Sequence, residues 1–197
     1  PAGPLPRAAV ACPPMTSALV VTGMPASTAW TMLFLWPLAA YALGGIPWGF
    51  LLVRWIEGID LRSVGSGNIG ATNAARALGG GRRGLALFLV VYLLDLGKAL
   101  AVLLPLTLLP EPAPDLAWIM PILFVTSGAA AILGHCFSPW LCFKGGKGVA
   151  TACGVLLALD WRLLLLGLAC FFLVLLAIRI VSVGSMAMGL ALPVFWL

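Results

Sequence analysis

The sequence predicts an all-α fold, a polytopic bundle of helices that cross a membrane. Of the 197 residues, 62% are hydrophobic and 9% are charged, whereas soluble domains carry roughly 25% charged residues. The mean hydropathy is +1.13, and apolar runs long enough to cross ~30 Å of hydrocarbon recur along the chain. The net charge of +5 comes without a basic tract interleaved with aromatics, so it does not indicate a nucleic-acid partner.

The two ends of the chain differ from the middle. Five of the first 14 residues are proline, so we expect residues 1–29 to form a disordered leader and residues 30–197 to form the membrane domain. The last residues, ALPVFWL, stop inside an apolar run, so we expect that domain to be truncated at its C-terminus. The five cysteines have no CxxC pair or regular spacing, which indicates neither a disulfide framework nor a metal site.

Six membrane spans are predicted in this domain. The sixth begins near residue 186 and is cut short, and the first five cover residues 30–53, 84–109, 116–134, 148–159 and 163–178. The fourth and fifth are shorter than the ~20 residues that a spanning helix needs, so they form either two short spans or one bent, re-entrant pair. Asp160-Trp161-Arg162 between them is typical of a polar turn at the membrane interface.

The basic residues set the expected orientation. Loop 54–83 contains five arginines, loop 135–147 contains two lysines, and Arg179 follows the fifth span. The loop PEPAPD at 110–115 carries only acidic charges. Because basic loops stay in the cytoplasm, we expect the three basic loops to face the cytoplasm and the N-terminus to lie outside.

The polar motifs all lie on that expected cytoplasmic side. In chain order they are GSGNIGATNAAR, GHCFSPWLCFKGGKGVAT and RIVSVGS. Glycines let backbone N–H groups approach an anion, a helix that follows adds its positive dipole end, and lysine and arginine donate to phosphate oxygens. Three such loops on one face indicate a site for anions. The alternative is that the glycines only permit turns and the arginines only set topology.

Several catalytic motifs are excluded by position. GGKG is not a P-loop, because Leu141 stands where the first glycine belongs and Gly148 replaces the serine or threonine. An acyltransferase of the His-x4-Asp type needs aspartate where Trp140 stands, and no GxSxG elbow occurs.

SGNIGATNAAR, GHCFSPWLCFKGGKGVAT and SVGS, in this order, resemble the three cytoplasmic motifs of the bacterial acyl-phosphate:glycerol-3-phosphate acyltransferase family. The similarity runs from about Ala40 to the C-terminus and includes Asp95 and Lys98 in the second span. It implies seven spans, an external N-terminus and an active site on the cytoplasmic face of the bacterial inner membrane. The implied reaction moves an acyl group from acyl phosphate to the 1-hydroxyl of sn-glycerol 3-phosphate and gives lysophosphatidic acid.

The resemblance also implies partners and site residues. Besides the two substrates, the implied partners are membrane lipid and the soluble enzyme that makes acyl phosphate, with no cofactor, metal or nucleic acid. The first loop is expected to hold the donor, the second glycerol 3-phosphate, and the third to complete the pocket. The expected catalytic residues are Ser66, Asn68, Arg76, His135 and Lys147. The expected substrate-binding residues are Gly65, Gly67, Asn73, Lys98, Lys144, Gly145, Gly146, Gly148, Thr151, Ser182 and Ser185.

Three alternatives stay open at this point. His135 is either the general base or a structural residue, in which case a substrate phosphate takes the proton. Asp95 and Lys98 lie three residues apart within an apolar span. Either they form a mutual ion pair, or Lys98 reaches toward the anions. A transporter or channel for a small phosphorylated anion would use the same loops, but it would need polar residues that continue across the bilayer.

Overall fold

The computed structural model describes residues 23–196, with only the backbone described for Ser182 and residues 190–196. Within this part of the chain every regular element is helical, apart from an isolated bridge between Met24 and Pro112, which confirms the all-α prediction. Most of the expected leader, residues 1–22, lies outside the described residues. The α-helices are α1 (Ala26–Gly44), α2 (Trp48–Glu57), α3 (Ala71–Ala77), α4 (Gly81–Leu103), α5 (Ile119–Cys136), α6 (Val149–Leu159), α7 (Trp161–Ile178) and α8 (Val181–Trp196).

Four helical segments in the described part are long and apolar enough to cross a membrane. They are Ala26–Glu57, Gly81–Leu108, Pro114–Leu141 and Trp161–Ile178. They correspond to the predicted first, second, third and fifth spans. The predicted fourth span is α6, whose 11 residues extend about 17 Å at 1.5 Å per residue.

The first predicted span is not one continuous helix. It is interrupted at residues 45–47 between α1 and α2, because Pro47 has no N–H to continue the hydrogen-bond ladder. The carbonyl oxygens freed there accept hydrogen bonds from distant side chains, at Gly45 from Ser138 Oγ and at Ile46 from Lys98 Nζ. The interruption therefore provides the acceptors through which α4 and the loop after α5 are hydrogen-bonded to the end of α1.

The third predicted loop is mostly helical. The sequence places residues 179–185 between two spans, whereas α8 already begins at Val181 and only Arg179 and Ile180 separate it from α7. Arg179 has a left-handed φ of 59° and reverses the chain there. Ser182 and Ser185 consequently belong to the first turns of α8.

Small residues bring the helices close together. A Cβ on Gly44 would clash with the main chain of Ala131, one on Gly134 with the carbonyl of Tyr41, and one on Gly154 with the carbonyl of Leu96. Such contacts let backbones approach in membrane bundles, where lipid is as apolar as the helix surface. They fix α1 against α5 and α4 against α6, so the loops that follow α2 and α5 start from defined positions.

Candidate active site

Asn73 holds the first polar loop together. Its side-chain nitrogen lies 3.2 Å from the carbonyl oxygen of Leu61 and 2.9 Å from those of Val64 and Asn68. Its side-chain oxygen accepts a hydrogen bond of 3.1 Å from the N–H of Ser66. The sequence predicts a substrate contact for Asn73, but the structure places it beneath the loop, 2% exposed, where it fixes the backbone that carries Ser66.

The glycines of this loop set its shape. Gly65 and Gly67 have φ values of 56° and 69°, in the left-handed region that glycine adopts without strain. A Cβ on Gly65 would clash with Asn73 Oδ1, so the loop can close on Asn73 only with glycine there. The N–H of Gly67 donates to the Val64 carbonyl at 3.0 Å. The Gly67 N–H, for which the sequence predicts a contact with substrate, therefore donates to another residue of the same loop.

Three other predicted residues lie at the surface of the loop. Ser66 and Arg76 are exposed and Asn68 is half-buried, with Asn68 Oδ1 accepting a hydrogen bond of 2.9 Å from the N–H of Gly70. Arg76 lies in the last turn of α3. It borders an open groove of about 690 Å³, whose other lining residues are Thr72, Ala75, Gly79, Gly80, Leu85 and Phe88. The groove combines one guanidinium with apolar walls, which suits an anion that carries an alkyl chain.

Arg62 in the same loop is already paired. Its side chain lies 2.7 Å from Asp60 Oδ2, and hydrogen bonds from the Arg62 side chain and N–H lower the pKa of Asp60 to about 2. Because this folded pKa is below the ordinary ~3.9, the pair is intact above about pH 4 and is lost only as the pH falls toward 2. Arg62 therefore stays paired with Asp60 at neutral pH.

Asn73→Ala is expected to disorder the first loop and abolish most activity. The change leaves three carbonyl oxygens and the Ser66 N–H to find new partners, and each buried unsatisfied group costs ~1–3 kcal/mol. We expect faster proteolytic cleavage within residues 58–80, with membrane insertion unchanged. Ser63→Ala is the control, since the Ser63 hydroxyl bonds only to the Asp60 carbonyl at the surface. An unchanged cleavage rate in Asn73→Ala would contradict this role.

The second polar loop is attached to the end of α1. Ser138 Oγ donates to the Gly45 carbonyl at 2.6 Å and Trp140 Nε1 donates to the Ala42 carbonyl at 3.0 Å. In the opposite direction the Tyr41 hydroxyl donates to the Phe137 carbonyl at 2.6 Å. These contacts were not predicted from the sequence, where Ser138 and Trp140 are isolated polar or aromatic residues.

The glycines of the second loop lie against the end of α5. A Cβ on Gly145 would clash with the carbonyl oxygens of His135 and Cys136, and one on Gly146 with His135 Nε2. The N–H of Gly146 donates to the His135 carbonyl at 2.9 Å. Gly148, with φ 75°, forms the N-cap of α6. The loop thus ends at a helix N-terminus whose first N–H groups have no intrahelical partner.

The other predicted residues of this region differ in exposure. Lys144 and Lys147 are exposed beside the glycines. Thr151, in the first turn of α6, is buried, and its hydroxyl has no hydrogen-bond partner within residues 23–196. Ser185 is half-buried in α8, and the side chain of Ser182 lies outside the described residues. In the described part no three His, Cys, Asp or Glu side chains are grouped to hold a metal ion.

Asp95, Lys98 and His135 form a buried polar cluster. Lys98 Nζ lies 2.9 Å from Asp95 Oδ1 and 2.8 Å from His135 Nδ1, so of the two alternatives for Asp95 and Lys98 the structure has the ion pair, with the histidine beside it. The three side chains are only 3–4% exposed. Lys98 is therefore held within the bundle, and both nitrogens of His135 are directed at protein groups.

Residues 45–49, which include the interruption and the start of α2, contact both polar loops. Gly45 lies against Pro139 of the second loop, and Gly49, the second residue of α2, lies against the carbonyl of Ile69 in the first. The two glycine-rich loops therefore lie at the same end of the bundle.

Known proteins resemble this chain along most of its length. The family model for glycerol-3-phosphate acyltransferases matches residues 34–197. A glycerol-3-phosphate acyltransferase of Myxococcus xanthus (strain DK1622) is 43% identical over 176 residues, which cover 89% of this chain and 76% of the relative. One of Synechococcus sp. (strain CC9902) is 44% identical over 158 residues, or 80% of this chain and 72% of the relative.

Solved structures of an integral membrane glycerol 3-phosphate acyltransferase, PlsY, share the fold. Its glycerol 3-phosphate form has a TM-score of 0.68 and 33% identity, and the match covers 83% of this chain and 75% of PlsY. Its lysophosphatidic acid form has a TM-score of 0.63 and 31% identity, covering 83% and 74%. With the family model matched from residue 34 to residue 197, the chain belongs to the glycerol-3-phosphate acyltransferase family and is a membrane acyltransferase.

Proposed function

We propose that the protein transfers an acyl group from acyl phosphate to the 1-hydroxyl of sn-glycerol 3-phosphate and releases lysophosphatidic acid and inorganic phosphate. The names of the relatives support the acceptor. The glycerol 3-phosphate and lysophosphatidic acid forms of PlsY support an acceptor and a product of these classes. The observation that carries the proposal is that residues 45–49 contact both glycine-rich loops, because this reaction brings two phosphates together.

The second loop is the proposed acceptor site. Lys144 and Lys147 supply positive charge, and the N-terminus of α6 after Gly148 supplies backbone donors and a positive dipole end. Since the Gly146 amide is bonded to His135, Gly145 and Gly146 act by letting the loop lie close to α5. The hydroxyls of Ser182 and Ser185 in α8 are proposed to complete this pocket.

The first loop is the proposed donor site. Arg76 binds the phosphate of acyl phosphate, and the apolar walls of its groove accept the start of the acyl chain. The side chains of Ser66 and Asn68, on a backbone held by Asn73, donate to the carbonyl oxygen where charge develops during transfer. Donors aimed at developing charge usually make the largest contribution to catalysis.

A substrate phosphate is the proposed proton acceptor. The attacking hydroxyl of glycerol 3-phosphate must lose a proton, and a phosphate with a second pKa of ~6 takes it readily at neutral pH. His135 is buried between Lys98 and the second loop, which favours a structural role over that of general base. Holding both substrates at one end of the bundle adds an effective-concentration gain.

The proposed topology follows the distribution of basic residues. Residues 30–197 form a domain that spans the bacterial inner membrane several times. The N-terminus lies outside and both glycine-rich loops lie at the cytoplasmic face. Acyl phosphate then reaches the site from the membrane or from the soluble enzyme that makes it, and glycerol 3-phosphate reaches it from the cytoplasm.

A donor assay tests this function. Membranes that carry the protein at its natural length receive labelled glycerol 3-phosphate with either acyl phosphate or acyl-CoA. We expect labelled lysophosphatidic acid from acyl phosphate and none from acyl-CoA. Product from acyl-CoA alone would contradict the proposed donor, and uptake of label without product would favour a transporter.

A further inference from the structure

The cluster of Asp95, Lys98 and His135 links three separate parts of the fold. Asp95 and Lys98 lie on α4, His135 lies near the end of α5, and Lys98 Nζ also donates to the Ile46 carbonyl at 3.2 Å. Lys98 Nζ thus lies within 3.2 Å of the Asp95 carboxylate, His135 Nδ1 and this carbonyl. Asp95 Oδ1 pairs with the ammonium group by charge at 2.9 Å and has no hydrogen-bond partner within the described residues. Because separating a buried ion pair leaves an uncompensated charge, the cluster holds its partners in one arrangement.

The hydrogen bonding determines which nitrogen of His135 carries the proton. An ammonium group only donates, so His135 Nδ1 accepts from Lys98 at 2.8 Å and the proton of the neutral ring lies on Nε2. Nε2 is the atom that faces the α-carbon of Gly146. The Nε2 edge of the ring therefore faces the second loop. Lys98 and Asp95, on the Nδ1 side, fix the orientation of the ring.

His135 contacts the second loop through its main chain as well as its ring. Its carbonyl accepts from the N–H of Gly146 at 2.9 Å, while the ring lies where a Cβ on residue 146 would be. The turn at Gly145 and Gly146 is therefore positioned by two parts of His135, its carbonyl and its ring. Its conformation depends on where the ring is held.

We propose that Asp95, Lys98 and His135 are positioning residues that shape the acceptor loop by holding the His135 ring against Gly146. The proposal rests on the proposed function in taking the second loop as the glycerol 3-phosphate site. It assigns these side chains no contact with substrate and no proton transfer. The glycine at position 146 is then required because His135 occupies the space of its side chain.

A double-mutant cycle tests the contact. His135→Asn keeps an acceptor for Lys98 at the position of Nδ1 but removes the ring edge that faces residue 146, so this variant is expected to fold. The measured quantity is the Kd of purified protein for labelled glycerol 3-phosphate by equilibrium dialysis, which needs no donor. Gly146→Ala is expected to raise the Kd about tenfold in the native background, and by no more than about twofold in the His135→Asn background.

Gly145→Ala is the matched control for this cycle. Its Cβ would clash with the main-chain oxygens of His135 and Cys136, which His135→Asn does not remove, so the rise in Kd is expected to be the same in both backgrounds. Equal effects of Gly146→Ala in the two backgrounds would overturn the proposal.

The turnover number separates positioning from proton transfer. Asparagine cannot act as a general base, and losing a general base costs ~10²–10⁴-fold in rate. At saturating substrates we expect the kcat of His135→Asn to stay within about tenfold of the native value. A fall beyond a hundredfold with an unchanged Kd would instead make His135 the base. The donor assay on the native protein tests the proposed function separately, because neither of these outcomes depends on which donor is used.

Discussion

Gly145→Ala is expected to lower kcat/KM for glycerol 3-phosphate about 100-fold, mainly by raising KM. The added Cβ would clash with the carbonyl oxygens of His135 and Cys136, and these are main-chain atoms at the end of α5 that cannot rotate away. The second loop must then move by about 1 Å, a displacement that costs ~10²-fold when a substrate is held by several fixed donors. Loss of binding in the ground and transition states alike raises KM with little change in kcat.

Gly97→Ala is the control for this prediction. Gly97 lies on α4 one residue before Lys98, and a Cβ there meets nothing within 4 Å, so we expect native kinetics. A raised KM for acyl phosphate in Gly145→Ala, with an unchanged KM for glycerol 3-phosphate, would mean that the two phosphate sites are exchanged.

Arg76→Lys is expected to lower kcat about 100-fold, comparable to the loss of a donor at a site of developing charge. A guanidinium binds phosphate with two parallel N–H groups in a fixed plane, whereas an ammonium on a flexible stem is a point charge. Arg76 is the arginine that borders the groove beside the first loop. The initial rate with saturating acyl phosphate measures the effect.

Arg83→Lys is the matched control for Arg76. Arg83 is exposed in the first turn of α4 and does not line the groove, so we expect activity close to native. If Arg76→Lys retains native turnover, Arg76 sets membrane topology and binds no substrate.

The sequence predicted the helices because long apolar runs leave few alternatives in a membrane. It did not predict the interruption at residues 45–47, since Ile46 and Pro47 continue an apolar pattern. The side chains that bond there, from Lys98 and Ser138, lie 52 and 93 residues away along the chain. Only the folded packing of α4 and α5 against α1 brings these two side chains to the interruption.

The glycine pattern located the two loops, but it did not predict the hydrogen-bond partner of each backbone N–H. Gly67 and Gly146 were expected to offer their N–H groups to phosphate, yet each is bonded inside the protein, to Val64 and to His135. A glycine-rich composition predicts that a loop can adopt many backbone conformations. The hydrogen bonds that it makes depend on the helices and loops packed against it. In the same way the spacing of Asp95 and Lys98 indicated their ion pair as one of two alternatives, whereas His135, 37 residues from Lys98, joins it only through tertiary packing.

Hydrogen exchange with each substrate in turn is the most direct test of the central claim, that the two loops hold different phosphates. The protein in lipid bilayers is exposed to glycerol 3-phosphate alone, or to a non-reactive phosphonate analogue of acyl phosphate alone. Peptides that cover residues 144–151 and 64–76 are then compared. We expect glycerol 3-phosphate to slow exchange in 144–151 and not in 64–76, and the analogue to do the reverse. Saturating glycerol 3-phosphate that leaves 144–151 unprotected would contradict this claim.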